Sequence, residues 1–524
     1  MRLRWVYALI ATAALTIAQP AAARAPLSQL SELRAGTAIV QYDRRVTTPA
    51  RLTRVAGITR TARYRKLPFV AVRGSAAALS SVALKRGVTA IHMDRRLGYL
   101  LHESVPVAFG GHDPHPAWTS GFDGRGINVA VVDSGVDGLH PDLQNRVVAN
   151  FKVAADQVVE CPAACNSDTT GGHGTHVAGI IAGDGTASSG YYTGMAPGAG
   201  LVGFSAGEAI VITDAIGAFD YILAHNDQLK ISVVNNSWGP DGSDNRFDAT
   251  DPVNVATKKL HDAGITVVFA AGNSGTGDRR EAGHEGGSDC STTGSGSTRQ
   301  ASAGLCQINV DSVAPWVISV GNTRKDNGPN PGDQALNFSS SRGDPLPEVS
   351  LDGSMTIDYK PTLSAPGTNI WSARDPSGSI NAINCASAET PSCVPPAGHP
   401  EYAASYMPLS GTSMASPHVA GAVAVLQSYA KAKLGRLLSP DEVKQVLVAS
   451  AQPMTKKDLL WDWPCGSNDL IFVGCGEMQA DGMTGQPYVD WQAGAGGMDV
   501  TAAFGAVDGL APPAVASKKR KRQH

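Results

Sequence analysis

After its first two dozen residues the chain has no stretch approaching about 18 uninterrupted apolar residues, so no later segment can cross a membrane as a helix. It lacks paired C-x-x-C steps and any H-E-x-x-H, the spacings with which proteins commonly hold zinc. No internal repeat is present, which removes tandem-repeat architectures. Charge is sparse, 17% of 524 residues with a net −3, so the whole chain is not a polybasic nucleic-acid binder. Glycine, by contrast, is abundant. Fifty-eight glycines imply many tight turns and close backbone approaches.

The N-terminus reads as an export leader. Arg2 and Arg4 form a short basic region, Trp5 to Ala18 an apolar run, and Ala21-Ala22-Ala23 a small-residue cleavage site. The expectation is a signal peptide over 1–23 and a secreted protein, extracellular or periplasmic. Export permits disulfides. The eight cysteines fall into near pairs, Cys161/Cys165, Cys290/Cys306, Cys385/Cys393 and Cys465/Cys475, each bracketing a Gly-, Ser- or Pro-rich loop. Nearest-neighbour pairing is the simplest of 105 connectivities. Residues 24–103 carry 15 Lys/Arg against 4 Asp/Glu, whereas residues 104–524 carry 26 against 42. Opposite potentials in two parts of one chain favour their docking.

Strand patterns at 37–43, 69–73 and 88–93, with a serine-capped helix over 75–86, predict a small α+β module with a split βαβ arrangement. Pro106, Gly110-Gly111 and Pro114 mark a linker. From Gly126 apolar strands at 127–132, 200–204, 231–235, 266–271 and 316–320 alternate with helical stretches at 174–183, 214–225 and 251–263. Unbroken apolar strands separated by helices predict a mainly parallel sheet in a three-layer α/β sandwich. The basic run at 518–524 reads as a solvated tail.

In open α/β sheets functional groups gather at the carboxyl ends of strands. The strand I-N-V-A-V-V runs into Asp133, where a carboxylate can orient a base. In G-G-H-G-T-H-V-A-G, His173 opens a helix, and His176 reads as a hydrogen-bonded structural residue. In A-A-G-N-S-G an exposed amide, Asn273, ends another strand. In L-S-G-T-S-M-A-S-P-H-V-A-G, Ser413 sits at the positive end of a helix of small residues, with Pro417 expected in its first turn, where a missing N–H costs little. A serine hydroxyl needs a base, and the base needs a third group to hold its tautomer. Asp133, His173 and Ser413 supply that set, and Asn273 supplies a donor for a developing oxyanion.

These motifs resemble the subtilisin-like serine proteases, in that family's chain order Asp, His, Ser. The likeness spans about residues 118–505, with further echoes in G-M-A-P-G-A at 194–199 and N-N-S-W-G at 235–239. It implies a monomeric serine endopeptidase acting on polypeptides, with Ser413 as nucleophile, His173 as general base and acid, Asp133 as orienting carboxylate and Asn273 as oxyanion donor. It also implies an inhibitory, ferredoxin-like prosegment over 24–103, cut near His102-Glu103-Ser104, ahead of a peptidase domain at 104–508 and a tail at 509–524. Ser237, Trp238 and Gly239 are expected to pair with substrate backbone, Trp238 flattening a side-chain subsite. The loop 183–194 lacks the family's asparagine-rich calcium loop, which leaves calcium an open structural ion. Two readings of other classes stand beside this one. G-F-S-A-G at 203–207 matches the nucleophile turn of an α/β-hydrolase esterase, with Ser205 reactive. A non-catalytic binding module on a retired protease scaffold would keep the fold without the activity.

Overall fold

The computed structural model describes residues 33–93, 96–99, 118–240 (save 119 and 208), 247–273, 308–324, 332–343 (save 333 and 338), 348–349, 356–357, 361–380, 400–455 and 493–510. The leader over 1–23, the linker prolines, three of the four cysteine pairs and the basic run at 518–524 lie outside these residues. The chain forms two compact units, Met1–Arg60 with Pro68–Met93, and Thr61–Leu67 with Asp94–His524.

Residues 36–93 carry β1 (Gly36–Tyr42), α1 (Pro49–Leu52), β2 (Thr59–Arg63), β3 (Phe69–Gly74), α2 (Ala76–Ala83) and β4 (Val88–Met93), with sheet order β2-β3-β1-β4, and the first unit holds all of these except the last three residues of β2. β1 is antiparallel to both β3 and β4. It therefore lies between two strands joined through α2, the split βαβ arrangement. Ser75 caps α2 by accepting from the Ala78 N–H.

The second unit is built on an eight-stranded sheet. Its strands are β6 (Asn128–Asp133), β7 (Val147–Ala154), β8 (Gln157–Cys161), β9 (Gly200–Ser205), β11 (Ile231–Asn236), β13 (Thr266–Ala270), β14 (Val317–Thr323) and β17 (Leu363–Pro366), in the order β17-β14-β13-β11-β6-β9-β7-β8. All neighbours run parallel except the β7–β8 hairpin at one edge. The central strands are buried throughout, as unbroken apolar runs in a sheet covered on both faces must be. β7 alternates buried and exposed residues, the pattern of a strand with one wet face. Cys161, at the end of β8, is disulfide-bonded to Cys165.

Two long helices, α3 (His173–Ala182) and α6 (Thr412–Leu434), pack together against one face of the sheet, and α4 (Ile212–Leu229) and α5 (Pro252–Asp262) pack together on the other. Small residues permit this closeness. A Cβ at Gly179 of α3 would run into Ser372, and one at Gly421 of α6 into Met195. α7 (Pro440–Ser450) starts with a capping box, Ser439 with Glu442, and packs on α8 (Val500–Asp508). Short strands complete the unit: β5 (Arg96–Tyr99), β10 (Ile210–Val211), β12 (Trp238–Gly239), the β15 (Glu348–Val349)–β16 (Thr356–Ile357) pair and the β18 (Ile370–Ala373)–β19 (Tyr406–Leu409) pair. Among the described residues no helix is long and apolar enough to cross a membrane.

Candidate active site

Asp133 is the last residue of β6, near the middle of the sheet, and is fully buried. Its Oδ1 accepts from the Ser134 N–H at 2.8 Å and lies 2.7 Å from Nδ1 of His173. His173 is the first residue of α3, entered through Gly172 at φ 87°, and is 1% exposed. A Cβ at Gly174 would collide with the Gly135 carbonyl, so glycine there lets the helix start abut the exit of β6. A buried carboxylate bonded to Nδ1 leaves Nε2 as the basic nitrogen of a neutral imidazole.

Ser413 is the second residue of α6, beside Gly411, the N-cap. Pro417 is the sixth residue of this helix, past the first turn where it was expected. Its missing N–H would orphan the carbonyl four residues back, which is that of Ser413. The Ser237 hydroxyl repairs the loss by donating to the Ser413 carbonyl at 2.8 Å. The exchange is reciprocal, because Ser413 Oγ donates to the Ser237 carbonyl at 3.0 Å. The nucleophile candidate is thus tied at both its oxygens to the segment that leads into β12.

Asn273 follows β13. Its side-chain oxygen accepts from the Thr412 N–H at 2.9 Å and the Thr412 hydroxyl at 3.0 Å. That fixes the amide's orientation. Its Nδ2 is buried with no hydrogen-bond partner among the described residues. A buried unsatisfied donor is costly and invites an acceptor.

β12 accepts an added strand: β5, a part of this same chain, lies between β10 and β12, with Trp238 opposite Tyr99 and Gly239 opposite Gly98. The expectation that the Trp238 side chain flattens a subsite does not hold. Its indole is fully buried, donates from Nε1 to the Val132 carbonyl at 2.8 Å, and packs edge-on to Phe269. An indole N–H needs a partner once buried, and the end of β6 provides it. The groove is left with the Trp238 backbone.

His176 is structural, as expected. Its Nε2 lies 2.9 Å from the Ile370 carbonyl and 3.1 Å from that of Met407, tying α3 to β18 and β19, and burial pushes its pKa down to about 3. Ser205 is not an esterase nucleophile in this structure. It pairs with Asp133 at the end of β9, and its hydroxyl donates to the Ser134 carbonyl at 2.7 Å instead of to a base.

The loop after α3 does not fit a calcium ion. Asp142 accepts from the Ala187 N–H at 2.8 Å and from the Tyr406 hydroxyl at 2.6 Å, and Asp184 accepts from both the N–H and the hydroxyl of Thr186. The Gly185 carbonyl is taken by the N–H groups of Ser188 and Gly190. Calcium needs six to eight oxygens, and here the oxygens answer to protein donors. Among the described residues no three His, Cys, Asp or Glu side chains cluster as metal ligands.

Sequence reading missed three supports. Thr412 orients Asn273. Asn309 donates from its amide to the carbonyls of Trp238 and Ala270, both at 2.9 Å, and so joins the ends of β12 and β13. Asp168, five residues before His173, holds the start of α3. Only Asp168 had a usable signal, an acidic residue just ahead of a helix.

Comparison with known proteins finds serine proteases among the chain's relatives. The chain is 32% identical over 331 residues to serine protease AprX of Bacillus subtilis, covering 62% of this chain and 61% of AprX, a little under two thirds of that relative. It is 28% identical over 342 residues to the major intracellular serine protease of the same organism, covering 64% of this chain and 79% of that one. The crystal structure of fervidolysin from Fervidobacterium pennivorans, described as a keratinolytic enzyme related to subtilisin, superimposes with a TM-score of 0.58 at 20% identity, covering 92% of this chain and 62% of fervidolysin, a likeness of fold. The model of the subtilase family matches residues 124–496, the span that holds the Asp133–His173 pair, Asn273 and Ser413, and this chain belongs to the subtilase family.

Proposed function

We propose that the chain is an exported serine endopeptidase that cleaves polypeptides through an acyl-enzyme on Ser413. The observation that carries this reading is the 2.7 Å contact between Asp133 and His173, two side chains buried to within 1% of complete, at the start of α3. The Ser413 hydroxyl turns from the Ser237 carbonyl to His173, which takes the proton from Oγ as the oxygen attacks the substrate carbonyl. Asp133 holds the imidazole and stabilises its cation. The Asn273 Nδ2 donates to the oxyanion, together with N–H groups of the α6 N-terminus. The imidazolium then hands its proton to the leaving amine, and water repeats the sequence to release the acid. Ser237, Trp238 and Gly239 present backbone edges to which an extended substrate adds as a strand. Export rests on the leader-like residues 1–23.

The same site first acts on its own chain. The β5–β12 pairing supports an inhibitory prosegment lying along the groove in the manner of a substrate. The proposed first cut lies near His102-Glu103-Ser104, downstream of the Trp238–Tyr99 pair.

The test is cleavage of denatured casein and of a peptide library by the purified chain beside its Ser413→Ala variant, with N-terminal sequencing of the processed wild type. Activity in the wild type alone, and a mature start near His102-Glu103-Ser104, support the reading. Equal behaviour of the two proteins would return the chain to a binding module on a retired scaffold. A mature start within the first compact unit, before residue 94, would overturn the prosegment assignment.

A further inference from the structure

Asp168 is a buried carboxylate that the reaction above does not use. Its Oδ1 accepts from the Gly172 N–H at 2.8 Å, and its Oδ2 from the Thr175 N–H at 2.9 Å and the Thr175 hydroxyl at 2.7 Å. The Ser134 hydroxyl donates to it as well. Gly172 and Thr175 flank His173, and Ser134 follows Asp133. The Ser134 oxygen in turn accepts from the Gly174 N–H at 2.8 Å. The two segments touch closely here, since a Cβ at Gly135 would meet the backbone of Ser167 and Asp168, and one at Gly171 would meet Ser134. Every residue adjoining the Asp133–His173 pair on its helix side is thus bonded to one carboxylate or to its serine partner.

We propose that Asp168 is a positioning residue, the group that fixes the start of α3 against the exit of β6 and so sets the geometry of the Asp133–His173 contact. This rests on the catalytic reading given above. A carboxylate is required because the site offers donors to both oxygens: two N–H groups and two hydroxyls converge on it. An asparagine can accept on one side only, and its NH2 would face donors on the other. The charge also lies at the N-terminus of α3, where a helix favours an anion. Burial raises this carboxyl to about 6, and its four donors offset part of that cost. Misplacement of a base by a fraction of an ångström is felt in kcat far more than in substrate affinity.

Asp168→Asn, made in the full chain and assayed after processing, should lower kcat roughly 10- to 100-fold with KM changed less than about twofold. The low-field proton resonance of the His173 Nδ1–H, a direct report on its bond to Asp133, should move or broaden. A merely structural role would lower thermal stability and leave both kcat per folded molecule and that resonance as in the wild type, and this outcome overturns the proposal. If Asp168→Asn does not fold, Ser134→Ala decides. It keeps the carboxylate and cuts the bridge between the two segments, so a kcat loss with a displaced resonance supports the proposal and wild-type values refute it. Loss of the catalytic reading itself would appear separately, as activity surviving in Ser413→Ala.

Discussion

Two buried imidazoles make the folded chain acid-labile by an amount that can be worked out. Burial pushes His176 down to about 3 and His418 down to about 4, from 6.5 in the unfolded chain. A histidine depressed in the native state stays neutral there while the unfolded state takes up a proton, so its stabilising contribution disappears as pH falls below 6.5. Each unit is about 1.36 kcal/mol, so from pH 6.5 to 4.5 each histidine removes a little under about 3 kcal/mol and the two together about 5. Asp168 acts in the opposite sense. Its carboxyl is raised to about 6 from 3.8, so the native state binds its proton first, and acidification from 6 to 4.5 returns about 2 kcal/mol. The net loss is about 3 kcal/mol. The assay is urea unfolding at pH 6.5, 5.5 and 4.5 on the Ser413→Ala chain, which removes self-digestion. His418→Gln in that background should cut the loss by about 3 kcal/mol, leaving little pH dependence from these three groups. All other titrating groups cancel in the comparison. Parallel pH profiles for the two proteins would refute the reasoning.

Asn273→Ala should lower kcat roughly 10²- to 10³-fold with KM nearly unchanged, a magnitude taken from subtilisin itself; a kcat within threefold of wild type would remove Asn273 from the oxyanion site. Asp220 on α4 accepts from the backbone N–H groups of Arg65, Lys66 and Leu67 at 2.7, 2.6 and 2.8 Å, residues that fall in the second compact unit. If residues 24–103 are the inhibitory prosegment proposed above, Asp220→Ala should shorten the lag between processing and full activity by roughly tenfold or more, since each such charge-assisted bond contributes about 1.5–3 kcal/mol; an unchanged lag would deny these bonds a part in inhibition. Tyr406→Phe leaves the buried Asp142 carboxylate one donor short and should cost about 1–3 kcal/mol by calorimetry; an unchanged Tm would mean that this bond adds no stability.

What could be read from the sequence was whatever local pattern decides. The strands that deliver Asp133 and Asn273 are continuous apolar runs, and the helix that begins at His173 follows from its small-residue period, so their positions came out within a residue or two. The β18–β19 pair and the β7–β8 hairpin were not read. β18 and β19 are four residues each, and β8 is mostly exposed, so neither carries a long hydrophobic signal. Trp238 shows the limit more sharply. Its neighbours in sequence place it on a groove edge, but which way its indole points depends on Val132 and Phe269, distant in the chain and near in space.

Pro417 joins these two kinds of information. Read locally, a proline next to a candidate nucleophile is tolerable only in the first turn of a helix, and that is where sequence reasoning put it. The helix starts at Thr412, where it was expected, but that leaves Pro417 as its sixth residue, past the first turn, so one carbonyl loses its partner. That carbonyl belongs to Ser413, and the Ser237 hydroxyl takes it. The same proline that weakens the helix therefore makes the position of the candidate nucleophile depend on Ser237. Replacing that hydroxyl in Ser237→Ala should leave a buried carbonyl unpaired, at a cost of about 1–3 kcal/mol, and should lower kcat along with stability. In a Pro417→Ala background the Ser413 carbonyl regains a helical N–H. The Ser237→Ala change should then cost markedly less in both, and a cycle with no such coupling would mean that the two residues act independently.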